Sequence, residues 1–114
     1  MLAVIFEVNP TEEGKSEYLQ IAAELRKFLE DRDGFISIER FQSLTEEGKI
    51  LSLSFWRDER AIDEWRNIVE HRMAQKRGKK FLFRSYRIRV VNVVRDYTET
   101  RRDEAPSDSA KALE

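Results

Sequence analysis

The residues best suited to chemistry stand close together in the middle of the chain. Phe55-Trp56-Arg57-Asp58-Glu59 leads to Trp65, and His71 follows within Glu70-His71-Arg72. Indole rings pack on flat apolar molecules, and an imidazole can exchange a proton near neutral pH. His71 is the single histidine of the chain, so histidine acid–base chemistry has only this seat. Trp65 and His71 are six positions apart, which on a regular helix leaves them about 120° out of alignment. They share one pocket only if their helix breaks or bends between them. Otherwise Trp65 is a core side chain and His71 a residue of the surface rim. Arg84, Arg87, Arg89 and Arg95 follow toward the C-terminus. They could hold an anionic substrate, or pair with acidic neighbours on an exposed edge. The run Lys76-Arg77-Gly78-Lys79-Lys80 could touch phosphate or simply close a helix in solvent.

Other chemistries are closed by composition. There is no cysteine, which removes disulfide scaffolds, thiolate metal sites and cysteine nucleophiles. One histidine without cysteine makes a poor zinc donor set, so no metal is expected. Only 4 glycines occur, and no phosphate-cradling glycine loop is present. No cofactor is expected on these grounds. Lys plus Arg is 21 against 22 for Asp plus Glu, a balance unlike that of a nucleic-acid binder. No apolar run approaches the roughly 18 residues of a membrane span. The strand-like run Leu2–Val8 starts without a charged region ahead of it, unlike a secretory signal. A chain of 114 residues, 38% of them charged, reads as one small cytoplasmic domain.

The elements that must position these residues follow from periodicity. Leu2–Val8 is β-branched, aromatic and apolar on both sides, as a central strand is. Pro10–Gly14 reads as a turn. Tyr18, Ile21, Ala22, Leu25, Phe28 and Leu29 then repeat at helical spacing, and Gly34 supplies a stop. Phe35–Ser43 and Ile50–Arg57 alternate as a hairpin around Thr45–Lys49. In the first strand Ile36, Ile38 and Arg40 share one face, and Phe35 and Phe41 the other. In the second, Leu51, Leu53 and Phe55 oppose Ile50, Ser52, Ser54 and Trp56. Asp58 is a credible N-cap for a second helix carrying Ala61, Ile62, Trp65, Ile68 and Val69, with Gly78 as its stop. A last strand begins near Arg84, with Tyr86, Ile88 and Val90 on one face. Residues 1–97 form the folded domain, and 98–114 read as a charged, flexible tail or an extension over a partner.

The order is βαββαβ, an α+β class. Two right-handed crossovers into one sheet give a ferredoxin-like arrangement with four antiparallel strands in the order 4-1-3-2. Two helices cover one face of such a sheet. The other face is too apolar to stand in water, and a twofold homodimer with sheets packed face to face is the least demanding cover.

The chain resembles the antibiotic biosynthesis monooxygenase domain. The resemblance is carried by Val4–Val8, Asp33-Gly34-Phe35 through Phe41, Leu53–Asp58, Trp65 with Glu70-His71-Arg72, and Tyr86–Val90. It implies a dimeric α/β barrel of ferredoxin-like units. Members of that family include enzymes that oxidise phenols to quinones with molecular oxygen and neither metal nor flavin, haem-degrading proteins, and members of other roles. The resemblance places Trp65 on the pocket wall and gives His71 the movement of a proton. Trp56, Phe55, Asn9, Tyr86 and Arg87 are the further candidates for contact with a small hydrophobic or aromatic ligand. Ala61 stands near where phenol-oxidising members carry an asparagine. Glu7 and Gln75 occupy the positions at which the haem-degrading branch carries its asparagine and histidine.

The implied activity is a cofactor-independent monooxygenase acting on a small aromatic or quinol-like molecule. A non-catalytic dimeric binding or stress-response module, and a haem-binding protein, are the other readings of the same residues. The two-faced sheet makes the first measurement simple. Light scattering in dilute solution is expected to report twice the 13.6 kDa of one chain. A well-folded particle of single-chain mass overturns the inference.

Overall fold

The computed structural model describes residues 1–77 and 82–108, with the side chains of 75–77 left aside. The elements run β1 (Leu2–Pro10), α1 (Glu12–Arg26), β2 (Phe35–Gln42), β3 (Ile50–Trp56), α2 (Glu59–Arg77) and β4 (Phe83–Asn92). The strands form one antiparallel sheet in the order β2-β3-β1-β4, the expected 4-1-3-2 read from the other edge. β1 is central, between β3 and β4, as its two apolar sides require. Gly78, the expected stop of α2, and Lys79 and Lys80 lie outside the described residues.

Three local expectations change, each for a physical reason. β1 continues to Pro10, and Gly14 belongs to the first turn of α1 instead of a turn before it. Thr11 is the cap: its Oγ1 accepts from the Gly14 N–H at 2.8 Å. The Thr11 N–H donates to the Leu82 carbonyl at 3.0 Å, so the segment entering β4 is seated on the start of α1. A side chain at residue 14 would collide with that carbonyl, which explains the glycine.

The second change concerns Phe28. α1 ends at Arg26, and the chain tightens through Phe28 N–H to Leu25 carbonyl and Leu29 N–H to Arg26 carbonyl bonds. Such three-residue turns advance the side chains faster than an α-helix does. Leu29 enters the core at 3% exposure, whereas Phe28 swings out to 50%. The third concerns Phe35. A register shift between Phe35 and Ser37 inserts an extra residue opposite β3. Phe35 thereby joins Ile38 on the helix side and packs edge-on against Trp56, ring centroids 5.4 Å apart.

The helix side of the sheet holds three buried groups. Val8, Tyr18 and Ile50 form one; Ile21, Leu25 and Leu82 the second; Leu29, Trp56 and Ala61 the third. Partly buried Trp65 touches the second and the third, joining α2 to both α1 and β3. The opposite face presents Ile5, Leu51, Leu53 and Phe55, all part-exposed, with an ion group of Glu7, Lys49 and Arg89 beside them. β4 is an edge strand beyond the helices, so even its helix-side Tyr86, Ile88 and Val90 are exposed.

Gly34 secures the junction between β2 and α2. Its φ is +84°, and a Cβ there would sit 2.6 Å from the Cβ of Ala61. Its carbonyl accepts from the Arg57 N–H at 2.8 Å. Gly34→Ala is expected to lower unfolding stability by about 2 kcal/mol. Urea titration followed by circular dichroism reads the change, and an unaltered midpoint contradicts the packing described.

Candidate functional site

The candidate site is carried by α2, whose start is fixed by a cap and an ion pair. Asp58 Oδ1 accepts from the Ala61 N–H at 3.0 Å, as expected of an N-cap. Arg57 reaches back across the chain to Asp33, Nη1 to Oδ1 at 2.8 Å and Nη2 to Oδ2 at 3.0 Å. Its Nε donates to Asp58 Oδ2 at 3.0 Å. The guanidinium thus holds two carboxylates. Its hydrogen bond and then its charge keep the Asp33 carboxyl below the usual range. The Ala61 N–H, and after it Arg57, do the same for Asp58.

Trp56 is 1% exposed and donates from Nε1 to Ser54 Oγ at 2.9 Å, so its one polar atom is satisfied inside the core. Trp65 lies beside it, ring centroids 6.3 Å apart, with the Arg32 guanidinium 5.6 Å from the Trp65 ring on α2. Ala61 is buried in the same group. The two tryptophans therefore meet in the packed interior between α2 and β3.

His71 opens elsewhere. α2 is continuous from Glu59 to Arg77, so the angular offset between Trp65 and His71 is kept. His71 is exposed and borders a groove of about 460 Å³ between α1 and α2. The floor is Leu25, Phe28 and Ile68, and Asn67, His71 and Arg72 supply the polar groups. Trp65 does not line it. Arg72 lies with its guanidinium carbon 5.9 Å from the Phe28 ring centroid. Among the described residues its buried Nε has no hydrogen-bond partner.

The remaining candidates divide between the two faces. Tyr86 is on the helix side, edge-on to Phe6 and Phe83 at 6.0 and 6.2 Å. Phe55 pairs with Ala3 and shares the open face, opposite to Trp56. Arg87 stands across from Glu7 on the exposed edge strand, and Arg89 makes the ion pair with Glu7 at 3.5 Å. Asn9 donates to Ser85 Oγ at 3.1 Å at the end of β1. Among the described residues no group of three His, Asp or Glu side chains is arranged to hold a metal ion.

Asn67 carries no motif signal, and Arg72 enters the sequence reading only as the last member of Glu70-His71-Arg72. Residues 67, 68, 71 and 72 nevertheless follow the spacing of one helix side, which is the signal that could have found the groove. What spacing could not supply was the opposing wall, because Phe28 reaches it only through the early end of α1.

Sheet order and helix placement define a ferredoxin-like α+β domain, and the family within that class follows. The model of the family described as antibiotic biosynthesis monooxygenase matches residues 1–77, more than half of the chain. The chain belongs to that family. A relative named jasmonate monooxygenase ABM, from Pyricularia oryzae, is 46% identical over 93 residues, which are 82% of this chain and 43% of the relative. The chain thus spans less than half the length of that curated relative. Two solved structures share the fold. SnoaB, described as a cofactor-independent oxygenase of Streptomyces nogalater, superposes with a TM-score of 0.66 at 10% identity, over 83% of this chain and 94% of that one. MhuD with two manganese protoporphyrin IX molecules per active site superposes with a TM-score of 0.65 at 16% identity, over 86% and 99%.

The Arg57 clamp generates a pH prediction. Asp33 and Asp58 titrate lower in the folded chain than unfolded. Their contribution is therefore complete above the unfolded value of about 4 and is lost as pH falls through the lower folded values. Thermal melts are expected to lose stability from pH about 4 downward. In Arg57→Met the loss is shallower, because Asp33 no longer gains from folding. Equal slopes in the two proteins contradict the clamp.

Proposed function

We propose that the chain is a monooxygenase that binds a small aromatic or quinol-like molecule in the groove bordered by His71 and uses molecular oxygen without a bound metal or flavin. One observation carries the reading: the chain's sole imidazole opens into the groove of about 460 Å³ with an apolar floor. The groove is open to solvent on one side, and its mixture of an apolar floor with few polar groups is that of small-molecule sites. Membership of the family and the 46% identical monooxygenase relative support the reaction class.

In this reading Leu25, Phe28 and Ile68 hold the carbon skeleton and exclude water from one side. His71 accepts the phenolic proton. The phenolate then gives an electron to oxygen, and the resulting carbon radical and superoxide join in a C–O bond. Loss of water from that peroxide leaves the quinone, so one oxygen atom enters the product and the other leaves as water. The substrate supplies all the electrons. Trp65 acts from the sheet side, where its contact with Trp56 holds the helix that carries His71.

We further propose that the working unit is a homodimer. The open sheet face offers Ile5, Leu51, Leu53, Phe55 and Phe41 in one apolar field. A field of this kind calls for a cover, and a second copy supplies a matching one. Phe55 then contributes to the dimer contact.

An oxygen electrode with a panel of anthrones and quinols tests the activity. Oxygen uptake at enzyme-like rates is expected, with His71→Ala slower by about a hundredfold or more. No uptake above the uncatalysed rate across the panel removes the monooxygenase reading. Full uptake in His71→Ala removes His71 as the base. A haemin titration with a Soret shift that depends on His71 points instead to haem binding.

A further inference from the structure

The groove between α1 and α2 contains a cation whose position the proposed proton transfer does not use. Arg72 is only partly exposed, and its Nε is buried without an acceptor among the described residues. A guanidinium N–H withdrawn from water and left unpaired is costly, because it has lost hydration and gained nothing. An acceptor on a molecule entering the groove would complete it. The Phe28 ring lies beside the guanidinium. It is also half exposed and sits just beyond the end of α1, so little packing holds it in place. The polar groups at the groove that could meet a ligand are Arg72, His71 and Asn67, and the rest of the lining is apolar.

We infer that Arg72 is a specificity-determining residue that anchors the carboxylate of a small amphipathic acid, whose apolar body lies on Leu25, Phe28 and Ile68. The inference rests on the proposed placement of the substrate in this groove and narrows the substrate class. The Nε–H and a neighbouring Nη–H form a planar fork that matches the two oxygens of a carboxylate. Phe28 moves aside as the acid enters and then covers it. The Asn67 amide is left to bond a carbonyl or hydroxyl elsewhere on the ligand. An acid is favoured over a neutral molecule of the same shape, because a carboxylate gives the Nε–H and Nη–H fork two charged oxygens where an amide gives one neutral one.

The chain's single histidine makes this measurable without turnover. The His71 ring resonance is followed by NMR while the full chain is titrated with naphthylacetate or with the neutral naphthylacetamide. The acid is expected to move the His71 signal saturably, and the amide to bind at least about tenfold more weakly. Arg72→Met is expected to weaken the acid by about tenfold or more and to leave the amide unchanged, with Arg72→Lys between. Equal affinity for acid and amide in the unaltered protein overturns the inference without needing any variant to fold. So does the absence of a saturable shift, or acid binding that Arg72→Met leaves unchanged. The outcomes separate from those of oxygen uptake. Acid binding through Arg72 with no oxygen consumption sinks the monooxygenase reading alone. Oxygen consumption indifferent to the acid group and to Arg72 sinks the anchor alone.

Discussion

Two helices of 15 and 19 residues cannot cover both faces of a four-stranded sheet, and here they do not cover the whole of one. β1 must be central because it is apolar on both sides, and its neighbours β3 and β4 then take their places by antiparallel pairing. α1 and α2 lie over the middle of the sheet, which leaves β4 beyond them as an uncovered edge. The face opposite the helices keeps its field of Ile5, Leu51, Leu53 and Phe55. Every surface discussed above is a consequence of this shortage of cover: the open sheet face, the exposed Tyr86 strip on β4, and the groove where the helices part.

Trp65 is the residue through which that arrangement reaches α2. It touches the group around Leu29, Trp56 and Ala61 as well as the group around Ile21, Leu25 and Leu82. With this side of the helix turned to the sheet, His71 has to come out on another. At the start of the same helix the Asp58 cap and the Arg57–Asp33 pair settle where the first turn lies. Both are surface features of modest strength, and their value is positional: they select one entry into α2. The chemistry-bearing side chains are thereby distributed around a single rigid rod, with tryptophan inside and imidazole outside.

Arg72 belongs to the same distribution, one residue beyond His71. Phe28 comes to it from the other helix because the turn after Arg26 is tighter than the helix before it. A half-exposed aromatic ring and a partly buried guanidinium on facing walls differ from the satisfied contacts elsewhere, such as Trp56 to Ser54 or Thr11 to Gly14. Those two contacts are matched in place, whereas the buried Arg72 Nε in the groove has no acceptor among the described residues.

Order and type of the elements were legible in the residues alone. Period-two runs marked the strands, i, i+3, i+4 spacing marked both helices, and the two-sided apolarity of Leu2–Val8 placed β1 at the centre. The opposition of Phe55 to Trp56 was legible too, since neighbours on a strand point apart. Asp58 as a cap followed from its place before the apolar spacing. The angular gap between Trp65 and His71 could be stated from the count of residues between them, but whether α2 bends could not. Only tertiary structure decided that α2 runs unbroken, that the bulge beside Phe35 turns it onto Trp56, and that Phe28 leaves the core to face Arg72. Local patterns record how a residue stands on its own element. Bulges, early helix ends and grooves depend on which element arrives opposite, and that is settled only when the whole chain competes for the same buried space.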